Sequence, residues 1–104
     1  MDVEDKVNAL IEHIVNLDPK VIRDRHISLT HESLEVVRYA LTIGAPMAAR
    51  DTAAGALRYL KDELRGKKCK FPDETTIIRE KLEEIATELH IFIIKTLYGE
   101  NENG

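Results

Sequence analysis

Four histidines, one cysteine and a run of basic residues are the side chains of this 104-residue chain with the most chemistry to offer. Histidine and carboxylate pairs on facing helices build di-iron centres through a Glu-x-x-His spacing, which sets both side chains on one helix face a turn apart. His13, His26, His31 and His90 are preceded three positions back by Leu10, Arg23, Ser28 and Thr87, so the motif is absent at all four. The segment HESLE at 31–35 has the outline of a zinc-protease helix but carries Glu35 where the second histidine belongs, and a two-His grip fails there. Neither a metal nor a cofactor is expected.

Cys69 sits among Lys67, Lys68 and Lys70, and neighbouring positive charge favours the thiolate form of a cysteine. A catalytic cysteine also needs a base, which the linear sequence does not supply, so Cys69 is read as an incidental loop thiol. A single cysteine excludes an internal disulfide and a cysteine-based metal cluster, and fits a reducing compartment. No nucleophile elbow, phosphate-gripping glycine loop or dinucleotide fingerprint is present. No catalytic residue is assigned, and an enzyme with an unrecognised helical site is the third-ranked reading.

The basic run is more distinctive. Arg58, Lys61, Arg65, Lys67, Lys68 and Lys70 stand against Asp62 and Glu63, a net of +4 in thirteen residues. Such a patch is a candidate anion-binding surface, for nucleic acid or for an acidic protein face. A second basic stretch, Lys20, Arg23, Arg25 and His26, would join it if the fold sets the two together. The overall charge is −4 but is unevenly spread: residues 1–18 carry −4, residues 19–71 carry +5 and residues 72–104 carry −5. A nucleic-acid-binding regulator is therefore the second reading. Arg25 and His31 have an Arg-x5-His spacing that resembles the motif of the helical nuclease domains called HEPN. The match covers seven residues, and no family is adopted on it.

These residues must be positioned by helices. From Asp73 to Tyr98 apolar residues recur every three or four positions through Ile78, Leu82, Ile85, Leu89, Phe92, Ile93 and Leu97, the period of an amphipathic helix. At about 1.5 Å per residue this helix would be roughly 39 Å long, with the rest of the chain packed along it. Asp73 is its expected cap. Near its end Ile91, Ile94 and Tyr98 project opposite the main stripe and His90 lies at the edge, so that end is apolar nearly all round. A small bundle covers one flank of a helix, and a second copy of the chain is the expected cover for the other.

Upstream, Asp2 is placed as the cap of a helix over 3–17 with Val3, Val7, Leu10, Ile11, Ile14 and Leu17 on one face. Asp18-Pro19 opens a short helix over 19–26. HISLTH at 26–31 reads as a loop with Ser28 and Thr30 as rival caps, followed by a helix from Thr30 that Gly44 stops. Pro46 starts a third main helix to residue 65, where Ala48, Ala49, Ala53, Ala54, Gly55 and Ala56 predict the tightest helix crossing. No segment alternates with period two.

The expected fold is all-α: an up-and-down bundle of four main helices plus one short helix, dimeric, with residues 1–99 as one domain and 100–104 as a flexible tail. An acidic N-terminus and a longest apolar run of only IFII point to a cytoplasmic, non-membrane protein, and the Glu- and Lys-rich composition would suit a thermophile. The leading functional expectation is self-association as a homodimer or protein–protein interaction, through His90, Ile91, Ile94 and Tyr98.

Overall fold

The computed structural model describes residues 2–66 and 68–99. They form α1 (Asp2–Val15), α2 (Pro19–Ile22), α3 (Arg25–Thr42), α4 (Pro46–Arg65) and α5 (Pro72–Ile94), and a π-helical turn over Lys95–Gly99 extends α5. No strand occurs among the described residues. Lys67 and the tail at 100–104 lie outside them.

Each long helix packs on two others: α3 and α5 flank α4, and α1 closes against α3 and α5. Directions follow from single contacts. Lys6 of α1 meets Glu84 and Glu88 of α5, whereas Ala9 and Leu10 share a depression with Lys81 and Glu84, so the two helices are antiparallel. On α4, Lys61 faces Glu83 whereas Met47 shares a groove with Phe92 and Ile93, which makes α4 and α5 antiparallel as well. The Lys6 ammonium, hydrogen-bonded to both glutamates, holds the Glu84 carboxyl below its usual range, and its own affinity for the proton is raised in return.

The core runs along α5. Ile78, Leu82, Ile85 and Leu89 are buried, facing Val7, Leu10 and Ile14 of α1 and Leu34, Val37 and Leu60 of α3 and α4 in one apolar cluster, and Ile93 is buried further along α5. Phe92 is half-buried and Leu97, placed on the same stripe by its spacing, is 50% exposed. The reason is geometric. α4 starts only at Pro46 and α3 stops at Thr42, so the bundle ends where α5 does, and the π turn rotates the residues beyond Ile94 off the 3.6-residue register.

Several boundaries differ from the sequence reading. Asp2 lies inside α1, which ends at Val15 rather than residue 17. α2 is a single turn, capped by Asp18, whose side chain accepts from the Lys20 amide at 2.9 Å. Asp24 then caps α3, so the expected loop at 26–31 is helix and neither Ser28 nor Thr30 is a cap. The Thr30 hydroxyl instead donates to the His26 carbonyl at 2.7 Å within the helix. At α5, Phe71 occupies the cap position without a side-chain bond, Pro72 follows at the first position, and Asp73 is in the first turn.

Two glycines behave oppositely. Gly44 has φ of 76° after the end of α3, and its amide and that of Ala45 bond back to the carbonyls of Leu41 and Ala40, closing a Schellman motif. Gly55, placed by its small size at the α4 crossing, is exposed with open space where a Cβ would stand, and the crossing is made by Ala49, Ala53 and Ala56. Gly44→Ala is therefore expected to lower stability by about 1 kcal/mol through left-handed backbone strain. Gly55→Ala should raise it by about 0.5–1 kcal/mol through helix propensity. Chemical denaturation of the two variants reads both signs.

Candidate functional site

The strongest side-chain constellation is built where the α2–α3 turn meets the start of α5. Asp24 leaves the α2 turn with extended backbone, and its carboxylate accepts from the His26 amide at 3.3 Å as the cap of α3. The same oxygen lies 2.5 Å from Nδ1 of the His26 ring. His26 is 4% exposed, a position where an unpaired imidazole would carry a desolvation cost. Its other nitrogen, Nε2, is 2.8 Å from Oγ1 of Thr75 in the first turn of α5, also buried. Cys69, half-buried in the connecting loop, completes the group with Sγ 3.7 Å from Thr75 Oγ1 and 3.9 Å from His26 Nε2.

The donor and acceptor inventory gives this cluster a direction. The Asp24 carboxylate only accepts, so the neutral His26 ring carries its proton on Nδ1 and Nε2 is an acceptor. The Thr75 hydroxyl donates to Nε2, and the Cys69 thiol donates to the threonine oxygen. A chain of donors thus runs from thiol to hydroxyl to imidazole to carboxylate.

Sequence alone does not single out Asp24 and Thr75. Thr75 has a legible signal, since it stands three positions before Ile78 as the polar member of an otherwise apolar buried stripe. Asp24 has a weaker one, an acid just before Arg25 in a segment whose hydroxyl residues offer rival caps. The base that Cys69 lacks in one dimension is supplied by α3, 43 residues earlier in the chain.

The basic residues are partly brought together and partly neutralised. Arg58, Lys61 and Arg65 line one groove of about 380 Å³ with Asp62, but Lys61 faces Glu83 at 3.9 Å and Arg65 faces Asp62 at 3.7 Å. Lys68 and Lys70 are exposed on the loop beside Cys69. Because Cys69 touches His26, the stretch containing Arg23 and Arg25 does meet this loop, as the second basic segment required. Arg25 and His31 are six residues apart on one helix, about 240° round its axis, and His31 turns instead to Glu35 at 3.7 Å.

The apolar end of α5 is open in the single chain. Ile91 is 45% exposed, Ile94 41% and Tyr98 63%. His90 is exposed but faces α4, in a depression with Arg50, Ala54 and Leu57. Beside the end of α5 lies an apolar groove of about 310 Å³, lined by Met47, Phe92, Ile93 and Leu97 and by the Gly44–Pro46 link.

Among the described residues no group of three or more His, Cys, Asp or Glu side chains is arranged to hold a metal ion. No helix there is long and apolar enough to cross a membrane. No family model, curated protein or solved structure matches the chain. Function is therefore argued from the residues alone.

Proposed function

We propose that this protein works by association with a second copy of itself, through the apolar end of α5 and the groove beside it. The observation that supports the reading is the exposure of Ile91, Ile94 and Tyr98 at the end where α3 stops and α4 begins. Tyr39, Ile43 and Met47 are more than half exposed at that same end, and Leu97 is half exposed. At roughly 190 Å² for a fully exposed large side chain, these seven residues present roughly 700 Å², close to what one partner contributes to a standard protein interface.

A second copy fits this surface better than an unrelated partner. A two-fold interface must be self-complementary, and the end of α5 offers both exposed apolar side chains, Ile94 and Tyr98, and an apolar groove lined by their sequence neighbours Ile93 and Leu97 with Met47 and Phe92. No charged residue interrupts α5 from Ile91 to Ile94. The basic segment is the weaker reading, because Lys61 and Arg65 already face carboxylates.

Light scattering across a concentration series tests the proposal. The native chain is expected at twice its monomer mass at micromolar concentration. Ile94→Glu should remain helical and raise the dissociation constant at least tenfold, on the order of 1.4 kcal/mol or more. A native protein that is monomeric throughout the series, or an Ile94→Glu variant of unchanged mass, overturns it.

A further inference from the structure

The Cys69 cluster stands at the start of α5, away from the apolar surface at the end of that helix. Arg23 and Arg25 flank Asp24 in sequence, Lys68 and Lys70 flank Cys69, and all four side chains are exposed. Among the described residues none of the four makes an ion pair, although Lys6, Lys61, Arg38, Arg50, Arg65 and Arg79 all do. The contact between Cys69 and His26 brings the two segments that carry these cations together at one half-buried thiol. A nucleophile within reach of a base, the base oriented by a carboxylate, and four cations without ion pairs on the two segments that meet there make a combination that neither helix packing nor charge balance inside the bundle calls for.

We propose that Cys69 is a nucleophile that accepts an acyl group from an acyl phosphate, with Thr75 and His26 taking its proton and the Arg23, Arg25, Lys68, Lys70 rim holding the phosphate. In the reaction the thiol proton passes to Thr75 Oγ1 as the threonine proton passes to His26 Nε2. The sulfur electron pair attacks the carbonyl carbon, and a carbon–sulfur bond forms. Collapse of the adduct breaks the bond between the carbonyl carbon and the bridging oxygen of the acyl phosphate, and the proton held on Nε2 returns through Thr75 to the departing oxygen. The products are an S-acyl cysteine and hydrogen phosphate, with no change of oxidation state. Asp24 stays ionised throughout, keeps the ring in the tautomer that accepts at Nε2, and balances the imidazolium while it lasts.

The rim determines the choice of donor. A neutral ester has no charge for four cations to attract, whereas a phosphate dianion is attracted on approach and finds its leaving charge compensated. Arginine supplies the bidentate donors that fit a phosphate, and lysine adds compact charge.

Acetyl phosphate is the probe, with acetylation of Cys69 in the full chain followed by intact mass and peptide mapping. The native protein should be acetylated at least tenfold faster than Thr75→Val, with Thr75→Ser restoring most of the rate, as expected when a positioned group carries the proton. The double variant Lys68→Ala, Lys70→Ala should slow reaction with acetyl phosphate by a factor several times larger than it slows reaction with the neutral ester p-nitrophenyl acetate. If His26→Gln fails to fold by circular dichroism, the Thr75 pair decides the matter. Equal rates for the native protein and Thr75→Val overturn the proposal, as does a native rate no higher than that of the urea-unfolded chain. Equal sensitivity of both donors to loss of the lysines overturns the assignment of the phosphate.

Discussion

Replacing Leu82 by Ala is expected to lower the free energy of unfolding by about 3 kcal/mol, read as a fall in denaturant midpoint at unchanged slope. Leu82 is fully buried at the middle of α5, the helix against which both α1 and α4 pack. Truncation removes the transfer free energy of the lost methyls and leaves a void that neighbours on two other helices fill only in part. For a domain whose whole stability is on the order of 5–15 kcal/mol, that is a large fraction. The control is Ile77→Ala on the same helix. Ile77 is 43% exposed, and its loss should stay within about 0.5 kcal/mol. Equal effects at the two positions would mean that the buried stripe of α5 does not organise the fold.

That stripe was legible because its members are uniformly apolar. Ile78, Leu82, Ile85, Leu89 and Ile93 recur at the helical period, and all are buried. The pattern misled at Leu97, where the spacing continues but the bundle has run out of helices to pack against, and hydrophobic periodicity carries no information about where the partner elements stop. α3 shows the opposite failure. Its buried positions Ile27, Thr30, Leu34, Val37 and Leu41 also keep a helical period, yet Thr30 is polar and Ser28 is adjacent, so the first turn has the composition of a loop. The hydroxyl of Thr30 is satisfied by the helix itself, a solution that composition does not reveal.

The two candidate surfaces were legible to different degrees for a related reason. Exposure at Ile91, Ile94 and Tyr98 is a property of one helix, and helical geometry along one segment suffices to set them off the main stripe. The Asp24, His26, Thr75 and Cys69 cluster spans three elements. Its four residues acquire a common location only when α3 and α5 start at the same end of the bundle, and their individual signals are those of caps, turns and loops. The basic segments at 23–25 and 68–70 follow suit, since their meeting depends on the same long-range contact.

Asp24→Ala is the second substitution with a large expected effect, about 3 kcal/mol. One carboxylate oxygen serves two donors, the His26 amide at the start of α3 and Nδ1 of the buried ring. Loss of an N-cap costs about 1 kcal/mol, and leaving a buried imidazole N–H without an acceptor adds roughly 1–3 kcal/mol. Asp24→Asn separates the contributions, because its amide oxygen still accepts from both donors while the negative charge is gone. That variant should lose about 1 kcal/mol, and the remainder of the alanine effect belongs to the hydrogen bonds. Amide hydrogen exchange locates the damage. The Ser28 amide bonds to the Asp24 carbonyl at 2.9 Å, so exchange there should accelerate in the alanine variant well before exchange at Leu82 or Leu89. If the first turn of α3 stays as protected in Asp24→Ala as in the native chain, the helix does not start on this cap, and the alignment of His26 toward Thr75 and Cys69 must have another source.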